Sequence, residues 1–128
     1  LAIPDRPGNN RLDTMENILE VPEVGVIFFV PGVDETLRVN GRAEIRDDEG
    51  LLAQFVVNGK LPATVIVVQV HEMFLHCAKA LIRSHLWDAP MSAHRPIPTM
   101  GEMVGDPDGA GTTETQEDML ARYGEVLY

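Results

Sequence analysis

The sequence is poor in cysteine, in positive charge and in long apolar runs, and each shortage closes off a class of function. Cys77 is the one cysteine, so no disulfide can form within the chain. That suits a reducing compartment and leads us to expect a cytoplasmic protein. Ten basic side chains stand against twenty acidic ones, a formal net charge of −10. Such a surface repels nucleic-acid phosphate and anionic lipid, so neither nucleic acid nor a membrane is expected as a partner. An anionic ligand can still bind where the few arginines and lysines converge. The longest apolar run, residues 63–68, stops at Gln69 and is far too short to span a bilayer. The first residues do not read as a basic, apolar-cored signal sequence. Leu1-Ala2-Ile3-Pro4 reads instead as the end of a strand already under way, which raises the expectation of a segment before Leu1.

What is present is ordinary globular material. With 128 residues the chain has room for one compact domain, and its 45% hydrophobic and 23% charged content argues against wholesale disorder. Residues 5–10 are dense in turn formers and predict a loop. Leu12, Met15, Ile18 and Leu19 then recur at offsets of three and four, which predicts a helix with one apolar stripe. Asn10 is placed to cap that helix through its side-chain oxygen, and Pro22 closes it. Residues 24–30 predict a buried strand, residues 31–34 a turn, and residues 36–46 the returning strand of a hairpin. Asp47 or Asp48 can cap a short helix carrying Leu51, Leu52 and Phe55, which Asn58-Gly59-Lys60 breaks. Residues 63–74 form the strongest predicted strand, and residues 78–86 a helix that Trp87 ends. Proline, glycine and methionine dominate residues 91–113, an extended arm. Residues 115–127 close the chain as a helix, with Thr115 and Asp118 in capping-box-like spacing. Strands in the middle and helices between or after them favour α+β, mainly β, over a doubly wound parallel sheet.

Most chemical motifs are missing. No Gly-x-Gly-x-x-Gly follows a strand and no Walker-type Gly-Lys-Ser/Thr occurs. His71 and His76, five residues apart, fall on opposite faces of a strand and roughly 140° apart on a helix, so no metal is expected. Cys77 has no partner base at a readable spacing, and no catalytic side chain is assigned. The segment Arg6-Pro-Gly-Asn-Asn-Arg11 says more. A loop feeding a helix N-terminus presents unpaired N–H groups and the positive end of the helix dipole, which together favour phosphate. Arg11 adds a planar, permanently charged fork. The same residues would equally make a capped surface helix with a solvated arginine, and spacing does not decide between the two.

Four segments, in order, resemble the pyridoxamine 5′-phosphate oxidase-like superfamily of FMN-binding split β-barrels. Ile3-Pro-Asp-Arg-Pro-Gly-Asn-Asn-Arg-Leu-Asp-Thr-Met-Glu-Asn-Ile-Leu19 resembles the strand–loop–helix that holds the flavin phosphate. Val24-Gly-Val-Ile-Phe-Phe29 resembles the next barrel strand, and Glu35-Thr-Leu-Arg-Val-Asn-Gly-Arg-Ala-Glu44 resembles its "R-V-x-G-x-A" strand. Phe74-Leu-His-Cys-Ala-Lys-Ala-Leu-Ile-Arg-Ser-His-Leu-Trp87 looks like the signature of a subfamily of probable FMN-dependent enzymes of unassigned substrate. The resemblance implies an antiparallel split barrel in residues 1–88, the larger part of an FMN-binding domain, with residues 89–128 as an arm and helix.

It also implies a site. Ile3, Pro4 and Asp5 fall where strand backbone borders the isoalloxazine ring. Asn10 and Arg11 fall where the oxidases place an arginine–lysine pair on the FMN phosphate. Arg11 keeps that charge and Asn10 does not. Thr36 stands in place of a glutamine that touches the flavin, and Arg38 lies two residues on, on the same strand face. Lys79 and Arg83 would share one helical face and reach an anionic ligand, including one held mainly by a neighbouring subunit. The oxidases' residues for pyridoxine phosphate have no clear match. The implied protein is a homodimeric FMN flavoprotein, an oxidoreductase working with a small-molecule electron donor or acceptor. A non-catalytic flavin- or haem-binding member of the fold is the alternative, and an interaction domain that has lost its ligand is a third reading.

Overall fold

The computed structural model describes residues 1–8, 10–88, 98 and 115–126. The chain divides into two compact units, Leu1–Ala89 and Pro90–Tyr128. In the first, strands β1 (Ala2–Pro4), β2 (Glu23–Phe28), β3 (Thr36–Arg46) and β4 (Val65–His76) form one sheet in the order β1-β4-β3-β2. Every pairing is antiparallel, so the three long strands expected from sequence do belong to one antiparallel sheet. Helices α1 (Asp13–Glu20), α2 (Glu49–Leu52, running into a 3-10 turn at Ala53–Phe55) and α3 (Lys79–Ser84) flank it. This is an α+β chain built on a curled antiparallel sheet of the split-barrel kind.

Alternation sets the faces. On β2, Val24, Val26 and Phe28 are half-buried while Glu23, Gly25 and Ile27 are exposed. They pair with Gly41, Val39 and Leu37 of β3, which places one apolar stripe on one side of the sheet. Helix α1 packs on part of that stripe, where Ile18, Ala43 and Val68 are buried against Val24, Ile45 and Ile66. Farther along the same face the β4 partners of β3 stay exposed, among them Val70, Met73 and Leu75. The apolar face is thus covered at one end and bare at the other.

A β-bulge separates the two ends. The β3–β4 register shifts between Asn40 and Gly41, so His71 is an extra residue on β4. A side chain at Gly41 would run into the Gln69 carbonyl oxygen and a Val68 methyl, which is why the R-V-x-G-x-A pattern carries glycine here. Bulges sharpen local twist and so help the sheet to curl.

Element ends depart from the sequence expectation in specific ways. Strand β2 stops at Phe28, two residues before the predicted end, and the Val33 N–H closes the following turn on the Val30 carbonyl with Gly32 at φ +81°. Strand β4 begins at Val65 and continues to His76, past the predicted residue 74. Helix α3 is only six residues long because His85 adopts a left-handed φ of 51° and its N–H turns back to the Ile82 carbonyl. Trp87 therefore lies beyond the helix, half-buried, with its indole N–H donating to the Val33 carbonyl at 2.9 Å. Asp48 caps α2 as expected, accepting from the Leu51 N–H.

In the second unit, helix α4 (Gln116–Val126) follows the predicted cap: the Asp118 N–H donates to Thr115 Oγ1 at 3.1 Å, and that hydroxyl donates to the Asp118 carboxylate. The arm expected at residues 91–113 lies, except for Pro98, outside the described residues. Among the described residues no helix is long and apolar enough to cross a membrane.

Candidate functional site

Strand β1 leaves the sheet at Pro4, and the Asp5 N–H donates to the Thr64 carbonyl at 2.9 Å, tying the start of the loop to the residue before β4. The loop then returns toward α1 through Asn10, whose φ is +58°. Asparagine tolerates that left-handed conformation better than most residues. This corrects one expectation. Asn10 does not cap α1; Leu12 occupies the cap position and no side chain there accepts a helix N–H. Asn10 turns the backbone instead, and the first turn of α1 carries Asp13 and Glu16.

Between this loop and the segment entering β4 lies an open concavity of about 410 Å³, lined by Asp5, Arg6, Asn10, Arg11, Met15 and Pro62 among others. Its volume falls within the roughly 300–1,000 Å³ usual for small-molecule sites. Arg11 stands at the mouth of α1 with its fork on Asp13: Nε to Oδ2 at 3.0 Å and Nη2 to Oδ1 at 3.2 Å. The two side chains are 73% and 62% exposed. An exposed pair of this kind is worth only about 0–1 kcal/mol, so a multiply charged phosphate can displace the carboxylate. Arg6 is engaged differently. Its Nη2 donates to the Phe55 carbonyl and its Nη1 to the Lys60 carbonyl, the latter at 3.3 Å. At the same end of the sheet, Arg46 is occupied by Glu44, which hydrogen-bonds it, and by the adjacent Asp48 charge. Both raise its pKa, and it is not among the pocket residues.

The nine residues singled out from sequence fall into two groups. Asp5, Asn10 and Arg11 line the concavity, and Ile3 and Pro4 lead into it, paired with Ile66 and Val65 of β4. Thr36 and Arg38 lie at the other end of the sheet, and Lys79 and Arg83 on the helix that follows β4 there. Thr36 pairs with His76 and Arg38 with Phe74, while Lys79 opens α3 three residues after His76. Thr36 is buried and Arg38 exposed, so the two are not presented alike despite their spacing. Lys79 and Arg83 are both exposed. From Val65 to His76 the strand runs for roughly 35 Å, at about 3.3 Å per residue. Measured along that strand, the two groups lie toward opposite ends. Among the described residues no three His, Cys, Asp or Glu side chains come together to hold a metal ion.

Residues 1–77 match the family model described as pyridoxamine 5′-phosphate oxidase. The chain belongs to that family. No curated protein and no solved structure matches it. The pyridoxamine 5′-phosphate oxidase family is one of flavin-binding split barrels, which agrees with the curled sheet. The match ends at Cys77, so it takes in the loop, α1 and all four strands, while α3 with Lys79 and Arg83 follows it.

Sequence reading had named most of the loop but missed its opposite wall. Leu61, Pro62 and Ala63 enter the pocket of this pyridoxamine 5′-phosphate oxidase family member only because β1 pairs with β4. Arg6 was missed as a site residue as well. Its one local signal is that it is a second arginine in the same turn-rich loop as Arg11.

Proposed function

We propose that this chain is an FMN-binding flavoprotein, a homodimeric oxidoreductase that uses loop 5–11 and the start of α1 to hold the FMN phosphate. The observation that carries the reading is the concavity lined by Asp5, Asn10 and Arg11 at a helix N-terminus without a side-chain cap. Helix amides and the dipole favour an anion there, and Arg11 supplies a charged fork beside them. Bound FMN would carry the redox chemistry, passing hydride or electrons between small molecules. The protein would orient the ring and tune it by hydrogen bonds.

The division of the site residues into two groups supports a cofactor shared by two copies. One copy would supply the phosphate loop, and the other Thr36, Arg38, Lys79 and Arg83. The exposed strip of Val70, Met73 and Leu75 is the kind of surface that a partner covers.

Titration of FMN and of riboflavin, which lacks the phosphate, into wild type and Arg11→Ala tests the reading. A hydrogen bond to a charged group contributes roughly 1.5–3 kcal/mol. FMN affinity should therefore fall by about one to two orders of magnitude, with riboflavin far less affected. Equal losses for both ligands would place the phosphate elsewhere. Bleaching of the bound flavin by a reduced nicotinamide, with reoxidation by an acceptor, would test the oxidoreductase part.

A further inference from the structure

We infer that Arg6 is a positioning residue: it holds the two walls of the pocket at a fixed separation, so that the loop meets the phosphate ready-made. The inference rests on the phosphate-site reading above and adds a residue to it.

Arg6 lies in the loop wall, yet both of its described donors reach across to the other side. One guanidinium nitrogen donates to Phe55, the last residue of the 3-10 turn, and the other to Lys60. Between those acceptors the chain makes a tight reversal. Val57 and Lys60 exchange N–H to carbonyl bonds at 3.1 and 2.9 Å, and Asn58 and Gly59 both have positive φ. Leu61, Pro62 and Ala63 follow directly and form the far wall. A planar fork binding two carbonyls on either side of this reversal fixes it as a unit. The Asp5 N–H to Thr64 carbonyl bond anchors the base of the same wall. Arg6 thus adds a second tie one residue along the loop, joining segments 49 and 54 residues away in sequence. Without it the reversal would lose both of its side-chain ties to the loop. Ordering the two walls would then fall to the ligand, and binding would weaken.

The role makes a distinction that can be measured. A residue that only touches phosphate leaves the ligand-free walls undisturbed when it is lost, whereas loss of a positioning residue loosens them before any ligand is present. FMN affinity of the intact chain should be measured for wild type, Arg11→Ala, Arg6→Ala and Arg6→Lys. Backbone hydrogen exchange at residues 57–63 should be followed without ligand. We expect Arg6→Ala to weaken FMN about tenfold, about 1.4 kcal/mol by the tenfold rule, and to speed exchange at residues 57–63. Arg6→Lys keeps a donor and the charge but not the fork, and it should fall between Arg6→Ala and wild type. It carries the test if the alanine variant does not fold. Arg11→Ala should weaken FMN and leave that exchange unchanged. Weakened FMN binding in Arg6→Ala with unchanged exchange at residues 57–63 would make Arg6 a phosphate ligand and overturn the inference. Unchanged affinity and exchange in both Arg6 variants, with Arg11→Ala still impaired, would overturn it while sparing the phosphate site. Indifference of FMN binding to Arg11→Ala would remove the phosphate site, and this inference with it.

Discussion

Arg11 and Asp13 stand two residues apart, and under the proposed phosphate site their ion pair would set the terms on which an anion enters the pocket. The carboxylate occupies the fork that a phosphate would use and adds a like charge beside it. Asp13→Asn removes both obstacles. FMN should bind a few-fold more tightly, since the exposed pair is worth only about 0–1 kcal/mol. Riboflavin should be indifferent, and the same two titrations check this. A small loss of thermal stability should accompany the gain, because an acidic residue in the first helical turn contributes about 0.3–1 kcal/mol through the dipole. The loop around these residues was legible in the sequence because its turn formers and its arginines are contiguous. Two things were not. Asparagine serves both as a helix cap and as a left-handed turn residue, so the sequence did not decide which role Asn10 takes. The partners of Arg6 lie 49 and 54 residues away, beyond the reach of local patterning.

Among the elements, β3 shows how one glycine holds a sheet's curvature. The Gly41 Cα faces the Gln69 carbonyl at the bulge, where any side chain collides with backbone that cannot swing aside. Gly41→Ala should cost roughly 1–3 kcal/mol, the range for overpacking. Gly25→Ala is the control. Its added methyl would meet only the Asn40 side chain, and at this exposed position the change should stay within about 0.5 kcal/mol. Denaturant melts of both variants check the pair. Strand identity was readable because β2 and β3 alternate, but β4 is apolar almost throughout its first half and announces no face. The extra residue at His71 shows only once the ladder is assembled. The end of α3 was overestimated for a related reason: composition continues helical through Leu86, whereas the backbone turns left-handed at His85.

At the scale of the whole molecule, one end of the sheet stays bare. Val70, Met73 and Leu75 are 44%, 65% and 72% exposed on the face whose other end α1 covers. Apolar surface of this kind marks an interface. We therefore predict a homodimer by sedimentation at micromolar concentration. Leu75→Glu, which an isolated chain should tolerate, should shift the equilibrium toward monomer and weaken FMN binding together with it. A wild-type monomer that binds FMN fully would exclude the shared site.

The distance between the two groups of site residues has a genetic consequence. If each cofactor takes its phosphate loop from one copy and α3 from the other, two defective alleles can rescue one another. A chain carrying Arg11→Ala still offers a sound Lys79 and Arg83, and a chain carrying alanine at both of those positions still offers a sound Arg11. Each homodimer would be defective at both of its sites. A mixed dimer would concentrate both defects in one site and leave the other wholly wild type. Co-expression, or unfolding the two variants together and refolding them, should restore tight FMN binding that neither variant shows alone. Tagging the two chains differently and isolating the mixed species should find one full-affinity site per dimer. A site confined to one chain would show no such complementation.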